Sequence, residues 1–271
     1  MAKNTVIVLT LLSALVWADT LDFGRQEIVV TNLLRPDQPK QKTPPSLDTK
    51  ALEVLKQASY DRTRTVADFL LANPKQRQRL ERMRLDNRRG DTRFLSDGTI
   101  STDYVFPLVG DIIEQILPAP GKRRLLGKLA CPCCGQAWPE DRDPPEGLEL
   151  APLEDESTAE WTGILVDAQG LGLAPALFPA VVTEQDEEVY GPSFADEERL
   201  AGSGMVGYYT SQSDAVLTDR IGSNPLVVRA LTVAGSNSCD PVISDHDAGR
   251  MHSSAANLDL MSQCRVGFLV D

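Results

Sequence analysis

Three kinds of hydrophobic pattern succeed one another along the chain. Val6–Leu15 is an unbroken apolar run without charge. Phe23–Asn32 ends in a β-branched stretch and predicts a strand, and the four prolines between Leu33 and Ser46 predict a loop. Ala51, Leu55, Ala58, Val66 and Phe69 then recur at helical spacing, which predicts one amphipathic helix to about Ala72. Ser46 is its N-cap candidate, and Asp48 suits the positive end of the helix dipole. Asn73-Pro74 interrupts the pattern, and a second, basic helix is expected to about Asp86. Thr92–Leu95 and Thr99–Phe106 flank Ser96-Asp97-Gly98, a tight-turn signal for a hairpin. Leu108–Leu117 reads as a short helix with Leu108, Ile112, Ile113 and Ile116 on one face.

Residues 119–159 break this regularity. Prolines at 118, 120, 132, 139, 144, 145 and 152 prevent long elements, and nine acids face one Arg between Glu140 and Glu160. This reads as a linker or an exposed insertion. Beyond it, strands are expected at Trp161–Ala168, Ala176–Thr183, Gly204–Thr210, Leu226–Ala234, Val242–Ser244 and Cys264–Val270, with helices from Ser213 to about Arg220 and from Ser244 or Asp245 to about Ala256. The fold class expected is α+β. An N-terminal strand-helix-hairpin-helix domain (19–118) is followed by the linker (119–159) and by a C-terminal mixed α/β sheet domain (160–271).

Residues 1–18 have the features of a cleavable secretory signal: Lys3, the apolar run, and Val16-Trp17-Ala18 with small or tolerated residues before Asp19. The run is short for a bilayer span, and no other approaches about 20 residues, so the mature chain is expected to carry no transmembrane helix. An uncleaved N-terminal anchor is the alternative. The expected location is the periplasm or beyond, peripheral to the outer membrane. The net charge is −12 and aromatics make up only 6% of the residues. Both argue against nucleic acid as a partner. Basic residues are nevertheless concentrated from Lys75 to Arg89. Arg77, Arg82, Arg88 and Arg89 are the candidates for a partner-docking patch, and a solvated helix face is the ordinary reading.

Little in the sequence promises chemistry, and no catalytic residue is assigned. Cys131-Pro132-Cys133-Cys134-Gly135 contains the Cys-x-x-Cys spacing that turns two thiols toward one metal, so Cys131 and Cys134 are the candidate metal ligands and zinc is the one candidate cofactor. A closed site needs four ligands, and only Cys133, Cys239, Cys264, His246 and His252 are left to complete it. A disulfide in the cluster, or inert thiols, are the alternatives in an oxidising compartment. Cys239 and Cys264 border two expected strands and form a candidate disulfide. Asp245, His246, Asp247 and His252 resemble a metal set in composition, but six residues separate the histidines and they face different ways on a helix. Gly170-Leu-Gly172-Leu-Ala-Pro175 reads as a turn rather than a phosphate cradle.

Two blocks carry a family resemblance. Phe94-Leu-Ser-Asp-Gly-Thr-Ile100 followed by Phe106-Pro-Leu-Val-Gly110 resembles the hairpin-and-helix end of the Lpp-twenty type of bacterial envelope lipoprotein domain. Residues 163–179, with Asn224-Pro-Leu-Val-Val-Arg-Ala230 and Cys264-Arg-Val266, are similar to the segment downstream of that domain in uncharacterised exported proteins. The resemblance implies a non-enzymatic envelope protein with a scaffold, assembly or binding role. Its partners would be other envelope proteins or further copies of itself, at the outer membrane or flagellar base. This chain lacks the lipidated Cys of that type and carries the Cys-rich insertion in addition. The alternative function is a metal- or thiol-dependent periplasmic protein using the Cys131–Cys134 cluster.

Overall fold

The computed structural model describes residues 19–35, 46–119, 121–139, 142–153, 160–213 and 215–271. The expected secretory signal, residues 1–18, lies outside them. The fold is α+β. In the N-terminal part, β1 (Thr20–Asp22) and β2 (Glu27–Leu34) form a hairpin, so the expected strand is two. They are followed by α1 (Leu47–Gln57), α2 (Val66–Ala72), α3 (Pro74–Arg82), β3 (Arg88–Phe94), β4 (Ile100–Pro107) and α4 (Asp111–Gln115). The four strands make an antiparallel sheet in the order β1-β2-β4-β3. The expected Asp-Gly turn joins β3 to β4, with Gly98 in the left-handed region and Thr99 N–H donating to Asp97 Oδ1 at 2.9 Å. α1 lies on β2, and Ile28, Val30, Leu52 and Leu55 are buried there.

The single helix expected over 46–72 is divided. α1 begins at its Ser46 cap but stops at Ala58, which is extended. Asp61 then organises a loop by accepting from Thr63 and Arg64 N–H, both at 2.9 Å. Thr65 and Asp68 form a reciprocal capping box that starts α2. Local side-chain-to-backbone bonds thus outcompete the helical continuation that the apolar spacing suggested.

Between the two parts, β5 (Leu129–Ala130) pairs with β6 (Ala151–Pro152), a short ribbon within the Pro-rich stretch. The stretch is tied to the body by Leu126 N–H, which donates to His252 Nδ1 at 2.8 Å, and by Arg124 with Glu187 at 2.7 Å.

The C-terminal part holds β7 (Ile164–Asp167), β8 (Val181–Thr183), β9 (Glu188–Tyr190), α5 (Glu197–Ser203), β10 (Gly207–Tyr209), α6 (Ala215–Ile221), β11 (Leu226–Arg229), β12 (Thr232–Ala234), β13 (Asp240–Ile243), α7 (Asp245–Met251), α8 (Ala255–Ser262) and β14 (Val266–Leu269). They build two sheets where one was expected. The first is wholly parallel, in the order β10-β14-β7-β11, and the second is mixed, in the order β12-β13-β8-β9. The apolar runs of β7 and β14 are buried on both faces, as central parallel strands require. Leu226–Ala234 is not one strand. It turns at Ala230-Leu231 and passes from the first sheet to the second. Gly163 lets the start of β7 run against α6, because a Cβ there would stand 2.5 Å from Ile221 Cα.

One hydrophobic core runs through both parts. Tyr60, 1% exposed, stacks on Phe69 (4.3 Å between ring centroids) and meets Phe178 edge-on at 4.9 Å; its hydroxyl donates to Ile116 O at 2.8 Å. Backbone bonds stitch the same seam: Phe178 N–H to Tyr60 O at 2.9 Å, Asn237 N–H to Arg62 O at 3.1 Å, and Gly110 N–H to Ala201 O at 2.7 Å.

Candidate functional site

The ribbon of β5 and β6 holds the chain's most chemically distinctive group. Ala130 bridges Ala137, and Trp138 N–H donates to Leu129 O at 2.7 Å, so residues 131–136 are thrown outward as a turn. Inside it, Cys131 N–H donates to Gln136 O and Gly135 N–H to Cys131 O, both at 2.8 Å. Gly135 adopts φ +70°, a left-handed conformation that explains a glycine directly after the cysteines. The Cys131 sulfur receives the backbone N–H groups of Cys133 and Cys134, and these two bonds hold its pKa below the usual thiol range. Cys133, Cys134, Gly135 and Gln136 are all exposed, and none of the three thiols of the turn is in a disulfide. The expected pair Cys131 and Cys134 thus shares one turn with its donors aimed at sulfur. Among the described residues, however, no group of three or more His, Cys, Asp or Glu side chains is arranged to hold a metal ion.

The other two cysteines require a correction. Cys239 and Cys264 are both free and buried, and the disulfide expected between them is not formed. They precede β13 and β14, which belong to different sheets, so strand proximity in sequence misled. Burial pushes both thiols up in pKa. The Cys239 thiol donates to Asp240 Oδ1 at 3.4 Å. Asp240, 1% exposed, also accepts from Ala180 N–H at 3.0 Å and faces Arg62 Nε at 3.6 Å. This cluster sits in the seam between the two parts.

The histidines separate as their spacing predicted. His246 is exposed at the start of α7. His252 is 1% exposed, and both ring nitrogens are engaged, Nδ1 by Leu126 N–H and Nε2 with Val189 O at 2.7 Å. Burial lowers its pKa to about 4, so it is a neutral core histidine.

The four candidate docking arginines lie on two elements. Arg77 and Arg82 are exposed on α3, while Arg88 and Arg89 lie on the edge strand β3. Arg88 pairs with Glu27 at 2.8 Å, and Arg89 donates to Thr92 Oγ1 at 3.1 Å. Arg82, with Arg84, Met83 and Glu81, lines an open cleft of about 500 Å³ against the start of α1. The Gly170–Pro175 segment is a turn whose donors are already used: Gly170 N–H by Asp271 Oδ1 at 2.7 Å and Ala174 N–H by Ser238 O at 2.9 Å.

Residues 163–271 match a known family. Its description is Treponema pallidum Tp0624, second domain. The match to this Tp0624 domain begins one residue before β7 and takes in both C-terminal sheets, about two fifths of the chain. It does not reach the hairpin of β3 and β4 or the cysteine turn. No match to a curated protein was found.

Sequence reasoning missed one exposed feature. At one end of the N-terminal sheet, Leu34 and Phe94 both pair in register with Ile100, from opposite sides. Leu34 is 63% and Phe94 79% exposed, and Leu33 beside them is also exposed. The apolar row was hidden in the sequence because Leu34 lies far along the chain from the Phe94–Ile100 hairpin that it joins.

Proposed function

We propose that the protein is an exported, non-enzymatic component of the bacterial cell envelope that acts by binding, as a scaffold or assembly factor at the outer membrane or flagellar base. The observation that carries this reading is the row Leu34–Ile100–Phe94. Leu34 and Phe94 are left in water on either side of the half-buried Ile100, and large apolar side chains exposed together on a sheet end are characteristic of a surface that meets a partner. The leader-like residues 1–18, and the resemblance of the β3–β4 hairpin to an envelope lipoprotein domain, support the location. Among the described residues no helix is long and apolar enough to cross a membrane.

The test is a photo-crosslinking residue at Phe94, expressed in cells that are then fractionated. An adduct with an envelope protein or a second copy, in the envelope or periplasmic fraction, is expected. Protein that keeps Met1–Ala18, stays in the cytoplasm and gives no adduct ends the proposal.

The geometry of the cysteine turn favours a second reading, a metal- or thiol-dependent periplasmic protein. Elemental analysis and thiol titration of the isolated protein test it. Metal-free protein whose behaviour is unchanged by Cys131→Ser counts decisively against it.

A further inference from the structure

We infer that the turn Cys131–Gly135 is half of a zinc site, completed by the same turn of a second copy of the chain. The inference rests on the metal-binding reading of that turn and adds the source of the missing ligands.

Zinc in a structural site takes four ligands in a tetrahedron, with Zn–S distances of about 2.3 Å. A turn that presents two thiolates i and i+3 must bend sharply after the second thiol. Gly135 takes the left-handed conformation, and its N–H closes back on Cys131 O at 2.8 Å. The turn is therefore shaped before any metal arrives.

Among the described residues the other two ligands are not in place. Cys239 and Cys264 are buried far along the sequence in separate sheets, and both nitrogens of His252 are committed. No third ligand is arranged beside the turn among the described residues. The turn stands at the exposed tip of a narrow ribbon, where Pro132, Cys133, Cys134, Gly135 and Gln136 all face water. A second copy can bring its own turn into contact without meeting the body of the first. Two turns offer four thiolates, the ligand set of a closed zinc site. Each thiol gives its proton to solvent as the metal binds, so binding weakens as the pH falls.

The reduced full-length protein is titrated with zinc, and separately with cobalt(II) as a spectroscopic probe, while light scattering follows its mass. The expected result is about one metal per two chains, a doubling of mass on metal addition, and the intense thiolate-to-cobalt charge-transfer bands of a four-sulfur tetrahedral site. Cys134→Ser is expected to lose metal binding and the mass change together. Cys133→Ser, a neighbouring exposed thiol, is expected to keep both and serves as the control for folding. One metal per chain on a monomer overturns the inference while leaving metal binding in place. No uptake by the reduced wild-type protein overturns both.

Discussion

Cys239 at the seam and Cys131 at the turn are the same residue in opposite surroundings. Around Cys239 the polar groups face one another: Asp240 Oδ1 takes the thiol and the Ala180 amide, Arg62 faces Asp240 Oδ2 at 3.6 Å, and Asp186 takes Arg62 at 2.6 Å. Around Cys131 the donors point at sulfur, while the thiols of Cys133 and Cys134 face water. The first arrangement is enclosed and holds two halves of the chain together. The second does little for folding and keeps its valence for something outside the chain. In this molecule the groups that bind are to be sought on the thin ribbon and the sheet end, and the groups that stabilise in the seam.

The contrast can be broken most directly with a thiol reagent. On the native, reduced protein Cys131, Cys133 and Cys134 should react at once. Cys239 and Cys264 should be slower by a factor on the order of 10³ or more, since exposing them requires unfolding. Five thiols reacting alike would erase the distinction. Next in size, Tyr60→Ala should cost about 3–5 kcal/mol in urea unfolding, because it empties the space between Phe69 and Phe178, whereas Tyr60→Phe should cost about 1 kcal/mol for the hydroxyl bond to Ile116 O.

His252 gives the seam side a pH signature. Its folded-state pKa, about 4, lies below the ordinary 6.5. The unfolded chain therefore binds the proton more readily between those values. The His252 contribution is complete above about pH 6.5 and is lost as the pH falls toward 4. Its size is on the order of 3 kcal/mol. Urea midpoints of wild type and His252→Gln across pH 4–7 isolate it; parallel curves would contradict the assignment. Arg62→Met should destabilise by about 1–2 kcal/mol, kept small because Arg62 is about a third exposed. Asp240→Asn should cost less, since it removes the buried charge, keeps an acceptor for Ala180 N–H and leaves Arg62 paired with Asp186. On the exposed side, Arg82→Ala should change stability by less than about 0.5 kcal/mol.

Much of the local structure was legible because its causes are local. The Asp97-Gly98 turn, the Ser46 cap, the Asn73-Pro74 break and the doubly apolar strand Ile164–Asp167 each follow from a few adjacent residues. The helix over 46–72 misled because apolar spacing is insensitive to a short interruption. The Thr65–Asp68 capping box was the signal that could have located it. α5, β9 and α8 were missed since three to eight residues hold too little periodicity to stand out. Within the candidate site, the Cys131–Cys134 pair was legible from spacing and from the glycine after it. The Cys239–Cys264 pairing failed because nearness to a strand says nothing about which sheet the strand joins.

By itself the sequence determined the α+β character, the break at 119–159 and the turn that gathers three cysteines, since each depends on neighbours a few residues apart. Only the tertiary structure decided that the C-terminal strands divide between two sheets, that Leu34 and Phe94 stand exposed on either side of Ile100, and that His252 is neutral and enclosed. Those outcomes depend on which distant segments exclude water from one another, and burial of that kind is a property of the packed chain as a whole.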